Sequence, residues 1–139
     1  MTRHESREAA FKVAFSKSIN KDELPEIYET LDETGPELDD FAREILEKTF
    51  ENIKSVDPVI EKNLVGWTLA RIPKVSLAIL RSSTAQLLYM SEEVPDSVVI
   101  NEAVELAKAY GGDTEYSFVN GALRGILGSI RTDSSGDWQ

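Results

Sequence analysis

His4 is the single histidine of a chain without cysteine, and that fact bounds the chemistry open to it. Thiolate nucleophiles, disulfides and cysteine-ligated zinc are excluded, and His4 has no second imidazole or thiol with which to share a metal. At the start of a helix it reads as a solvated side chain. Glu102 and Glu105 are three residues apart, as an acid–base pair on one helical face can be. With Lys108 three residues further on, they read as a charge-balanced solvated face. Gly111-Gly112-Asp113-Thr114 precedes a helix as a phosphate cradle does, yet it lacks the Gly-Lys-Ser/Thr of a P-loop and follows a helix instead of a strand. Ser82-Ser83-Thr84 falls within a strongly apolar helix, where small hydroxyl residues make a packing notch. No metal, cofactor or catalytic set emerges, so the residue types point to binding.

Charge says what could be bound. The formal net charge is −10. Residues 1–21 hold five bases (Arg3, Arg7, Lys12, Lys17, Lys21) against two acids, whereas residues 22–63 hold fourteen acids against four bases. A short basic arm on an acidic body is compatible with weak or partner-assisted RNA binding, and incompatible with tight nonspecific binding by the chain alone. At 41% hydrophobic and 29% charged, the 139 residues suit one soluble domain. The sequence predicts that domain over 1–131 and a disordered, Ser/Asp/Gly-rich tail over 132–139. No apolar run approaches the roughly 18 residues of a membrane span, and the charged N-terminus is unlike a signal peptide. With the absence of cysteine, this predicts a cytoplasmic protein.

Seven helical segments and no strand account for the periodicity. Thr2-Arg3-His4-Glu5 has capping-box spacing and opens a helix to about Ser18 that buries Ala10, Val13 and Ala14, with Phe11 and Phe15 one strip over. A weak acidic helix is predicted over about Leu24–Thr34, ended by Gly35-Pro36, and a third over Leu38–Lys54 with Phe41, Ile45, Leu46, Thr49 and Ile53 inward. Asp57-Pro58 reads as an N-cap with proline at the first helical position, opening a short helix to about Leu64. Ile72-Pro73 opens a fifth segment to Met90 whose apolar residues encircle it, predicting the central helix. A sixth, Ser97–Tyr110, presents Val99, Ala103, Leu106 and Tyr110 on one face; Gly111-Gly112 stops it and Asp113 caps the last.

Val94-Pro95-Asp96-Ser97-Val98-Val99-Ile100-Asn101-Glu102-Ala103-Val104-Glu105-Leu106-Ala107-Lys108-Ala109-Tyr110-Gly111 resembles the VP-x-x-V-x-INEAVELAK-x-(F/Y)-G block of the NusB family, and Phe118-Val119-Asn120-Gly121-Ala122-Leu123 its FVNG-(V/A/I)-L block. Arg7-Glu8-Ala9-Ala10 with Phe15, Phe41-x-Arg43-x-Ile45-Leu46 and the Ile72–Arg81 segment are weaker likenesses, so that nearly the whole chain is covered. The resemblance implies an all-α, compact bundle of about seven helices that catalyses nothing and needs no cofactor. It implies pairing with NusE, which is also a small-subunit ribosomal protein, to bind single-stranded boxA RNA in ribosomal RNA transcripts and help RNA polymerase pass terminators as part of an antitermination complex.

Carried over residue by residue, the resemblance implicates Arg3, His4, Arg7, Phe15, Tyr110 and Phe118 in RNA binding. The types suit it, since guanidinium forks grip phosphates and rings stack on unpaired bases. Phe118 and Tyr110 equally suit a core, Asn120 reads as a structural hydrogen-bonder, and Arg81 as half of an ion pair. The partner surface is expected around Lys74, Ser76 and Leu77, helped by the acidic block; Ser76 stands where some relatives have a glutamate. The family's run of arginines is thinned here to Arg3-His4-Glu5-Ser6-Arg7, which predicts low RNA affinity for the isolated chain. Some members form homodimers that hide the RNA surface. A NusB-like scaffold or homodimer with negligible RNA binding therefore stays open, the −10 charge being its best support.

Overall fold

The capping box forms as its spacing predicts. In a computed structural model, the Glu5 amide donates to Thr2 Oγ1 at 3.1 Å and the Thr2 amide donates to Glu5 Oε1 at 2.9 Å. The structure describes the backbone of residues 1–20 and 38–136. The acidic helix expected over 24–34, its Gly35-Pro36 stop and Trp138 lie outside the described residues. Among the described residues there are six α-helices, one 3-10 turn and no strand. They are α1 (Arg3–Asn20), α2 (Asp40–Glu51), α3 (Ile53–Lys62), the turn Leu69–Arg71, α4 (Lys74–Tyr89), α5 (Asp96–Tyr110) and α6 (Asp113–Gly136).

α4 is the axis, touching all five other helices. Its apolar residues point in every direction because it has neighbours in every direction, and Ala78, Ile79, Leu80, Ala85 and Leu87 are completely buried. The outer helices are amphipathic and turn one face to it: Phe41, Ala42, Ile45 and Leu46 from α2, Val56 and Ile60 from α3, and Val119, Leu123 and Ile126 from α6.

Side-chain locks fix the outer helices in place. Asp39 caps α2 by accepting the Ala42 amide at 2.9 Å, while its other oxygen accepts the Ser6 hydroxyl at 2.6 Å and so ties the cap to α1. Those bonds, the Ser6 one foremost, hold its carboxyl below the usual range. Arg131 makes a fork onto Asp96 at the start of α5 (2.6 and 3.1 Å) and reaches the Leu87 carbonyl at 3.3 Å, drawing the ends of α4, α5 and α6 together.

Three boundaries differ from the sequence reading. The break after α2 is at Asn52, so Asp57-Pro58 lies inside α3 and does not start it. Proline removes the helical donor to the Lys54 carbonyl, a loss made small by the exposure of both residues. Asp57 is occupied elsewhere, receiving Arg81 Nε and Nη2 at 2.9 Å each. At the α5–α6 corner both glycine amides return to the Ala107 carbonyl, and Gly112 takes a positive φ of 86°, so Asp113 is the first residue of α6 and not its cap. α6 then continues to Gly136, past the end expected at 131.

The packing around α4 makes Leu80, fully buried, the most informative truncation. Leu80→Ala should destabilise the protein by about 2–5 kcal/mol through lost transfer energy and the cavity left behind, read from denaturant unfolding. An unchanged midpoint would place the core elsewhere.

Candidate nucleic-acid interface

The N-terminal half of α1 has two working sides. On one, Arg3 is exposed with its guanidinium carbon 3.7 Å from the centre of the Phe41 ring, a cation–π seat that keeps the charge at the surface. Arg7, one turn further in, is only 6% exposed. Its Nε donates to Gln86 Oε1 of α4 at 3.3 Å and its guanidinium lies 5.1 Å from the same Phe41 ring. Burial pulls its pKa down, opposed by the nearby Glu102. The sequence reading gave both arginines to phosphate; Arg3 is exposed, whereas Arg7 is buried against Gln86 and Phe41.

On the other side α1 meets α5. His4 Nδ1 lies 2.7 Å from Glu102 Oε2, and this bond, with the carboxylate's charge, raises the imidazole pKa; Glu8 and Glu105 add to the effect. The expectation of a merely solvated histidine misses that partner, although the ring is still about half exposed. One turn along, the Tyr110 hydroxyl donates to Glu8 Oε2 at 3.0 Å, and the Tyr110 ring packs on Phe11 with centroids 4.9 Å apart. Phe11 in turn stacks on Phe15 at 6.1 Å. Phe11 is buried, Phe15 half-buried and Tyr110 is 40% exposed, so a buried ring supports two accessible ones. His4, Phe15 and Tyr110 are thereby brought to the side of α1 that meets α5, with Glu8 and Glu102 among them, while Arg3 stands on the α2 side of the same helix.

Phe118 belongs to a second group. It is half-buried near the start of α6 and packs against Trp67, with centroids 5.5 Å apart and planes inclined at 46°. The Arg71 guanidinium stands 5.9 Å from the Trp67 ring. Trp67 belongs to none of the sequence motifs, and the fold is what joins it to Phe118. Asn120 accepts from Arg124 Nε at 3.1 Å, in keeping with a structural role.

The expected partner surface is largely withdrawn. Lys74 is exposed, but Ser76 is completely buried and Leu77 nearly so, because α4 passes under its neighbours within its first turn. Arg81 makes its ion pair within the chain, with Asp57. Glu105 and Lys108 form the expected surface pair at 3.8 Å, and no group of three metal-binding side chains occurs among the described residues.

The sequence model of the NusB family matches residues 4–127. The chain belongs to the NusB family. Its similarity to the transcription antitermination protein NusB of Clostridium novyi is 42% identity over 132 residues, covering 91% of this chain and 98% of that protein. The solved structure of T. maritima NusB superposes with a TM-score of 0.80 at 34% identity, covering 91% of each chain. A chain from the crystal structure of the antitermination factors NusB and NusE in complex with dsRNA also superposes at 0.80, with 25% identity and coverage of 93% of this chain and 99% of that one. The family's longer sequence block corresponds here to the end of the α4–α5 loop, α5 and its glycine stop, and the shorter block to the first half of α6.

The His4–Glu102 bond has a direct readout, because the chain has no other histidine. Its imidazole should titrate above the ordinary value of about 6.5 and fall back toward it in Glu102→Gln, as followed by NMR. Since the folded pKa is raised, the stabilisation is complete below the unfolded pKa and is lost as pH rises through the folded one. An unchanged midpoint in the variant would show that the bond does not form in solution.

Proposed function

We propose that this chain is a non-catalytic RNA- and protein-binding factor of transcription antitermination, acting in the cytoplasm with a NusE partner on boxA RNA. The observation that carries this reading is the exposed N-terminal half of α1, with an exposed arginine on its α2 side and, where it meets α5, one histidine of raised pKa and two accessible rings on a buried third. Guanidinium and imidazolium suit phosphates and the rings suit unpaired bases, while nothing near them is arranged to make or break a bond. Membership of a family whose solved structures include a complex with NusE and RNA supports the same assignment. No helix among the described residues is long and apolar enough to cross a membrane.

The surface is poor in free positive charge. Arg7 is internal, His4 is matched by Glu102, and Glu8 and Glu105 lie close by. On a chain of net charge −10, such a site attracts a polyanion only at short range. A basic partner would cancel the long-range repulsion and carry the same strand onward, so that two weak half-sites act together. Lys74, exposed at the head of α4, is the part of the expected partner surface that remains available.

Titration of labelled boxA RNA with and without NusE tests the reading. Affinity should rise by about ten-fold or more with the partner present. Arg3→Ala should weaken binding and flatten the log–log salt dependence by about 0.7, one phosphate's share on a single strand. Arg7→Ala should instead lower thermal stability. Binding by the isolated chain as tight as by the complex, or an Arg3→Ala variant with unaltered salt dependence, would contradict it.

A further inference from the structure

Trp67 is out of place for a structural tryptophan. Val65 is 93% exposed, Gly66 turns the chain with a positive φ of 85°, and the large ring that follows is itself 43% exposed. Tryptophan contributes most when its wide apolar surface is covered, yet this ring reaches away from the core to pack on Phe118. Arg71, exposed, holds a cation beside the pair. Two rings from distant parts of the sequence and one guanidinium thus form a platform open to solvent.

We infer that Trp67, Phe118 and Arg71 form a separate subsite for one unpaired nucleotide, the base stacking on Trp67 and Arg71 taking its phosphate. The inference rests on the RNA-binding reading above and extends it to two residues of the connector between α3 and α4. Three observations select a nucleotide over a protein side chain. Phe118, already a candidate for RNA contact, is continuous with Trp67. An exposed arginine beside an exposed ring backed by a half-buried one offers the two contacts that a nucleotide needs, a face for the base and a donor fork for the phosphate. Arg71 carries its charge at the surface, where an anion from outside can meet it. A strand held at Arg3 and Tyr110 would then have a second anchor near the start of α6, fixing its path over the surface.

The chain's two tryptophans allow a native readout, since Trp138→Phe leaves Trp67 as its single emitter. Binding of boxA RNA is followed by anisotropy of a label on the RNA, and Trp67 emission is recorded in parallel, at low salt and with NusE. The same complex made with Trp67→Phe and Trp138→Phe supplies the background. RNA binding should quench Trp67. Trp67→Ala should weaken binding by about ten-fold at unchanged salt dependence, Trp67→Phe should retain most of the affinity, and Arg71→Ala should flatten the salt dependence by about 0.7. RNA that binds by anisotropy while Trp67 emission stays constant overturns the subsite and leaves the RNA-binding reading intact. Emission that responds to NusE alone and not to RNA also overturns it, assigning the platform to a protein partner. No RNA binding at all defeats the reading and the subsite together. Because quenching is measured with Trp67 in place, a Trp67→Ala chain that fails to fold leaves the question decidable.

Discussion

A helix surrounded on all sides leaves no exposed face for its polar groups, and α4 is in that position. Every polar side chain buried along it, from Ser76 to Gln86, must either find a partner inside the protein or sit unpaired at a cost. Ser82 solves this locally, donating to the Ala78 and Ile79 carbonyls, and the Gln86 amide donates to the Ser82 carbonyl. Gln86 still has its amide oxygen to satisfy, and Arg7 of α1 provides the donor. The Ser76 and Thr84 hydroxyls have no partner among the described residues, which marks how tightly the neighbouring helices close over α4. Burial of one helix thus dictates the place of α1.

From that fixed point the functional surface follows. With Arg7 held between Gln86 and Phe41, the helix that carries it cannot rotate without leaving a buried guanidinium unsatisfied. Arg3, one turn toward the N-terminus, must then emerge beside the rim of Phe41, and His4, Glu8, Phe11 and Phe15 must face α5. The capping box fixes where α1 begins, and the Ser6–Asp39 bond fixes its angle to α2. Preorganisation of this kind lowers the entropy lost when a strand binds, because the arginine and the rings are already in place.

Signals within one element were legible in the sequence, whereas those depending on a distant element were not. The capping box, the glycine stop after Tyr110 and the all-round apolar pattern of α4 are local, and they appear as expected. Asp57-Pro58 misled because its local meaning, a cap, is overridden by Arg81, twenty-four residues away in sequence and in contact in space. Arg3 and Arg7 share a helical face, so periodicity cannot say that one lies at the rim and the other a turn deeper against α4. Ser76 and Leu77 were implicated by the resemblance, Ser76 standing where some relatives have a glutamate, yet the depth at which that helix enters the core is a tertiary fact. Trp67 gave no periodic signal at all, being on a connector.

The candidate RNA contacts on α1 and α5 already have internal companions. Arg3 rests on Phe41, His4 on Glu102 and the Tyr110 hydroxyl on Glu8. A phosphate near His4 must compete with a carboxylate 2.7 Å away, and a base stacking on Tyr110 brings its strand close to Glu8. The companions keep the side chains ordered in the free protein but subtract from what an anion gains on arrival. The Arg3 seat differs, because a cation–π contact leaves the guanidinium's charge and donors available to a phosphate. Geometry would therefore weigh more than charge here: a strand that set a phosphate at Arg3 and a base at Tyr110 would gain both contacts. One that merely brings negative charge meets Glu8, Glu102 and Glu105 first. On a chain of net charge −10, carboxylates set this close to the candidate contacts would favour a strand that fits over one that is merely charged.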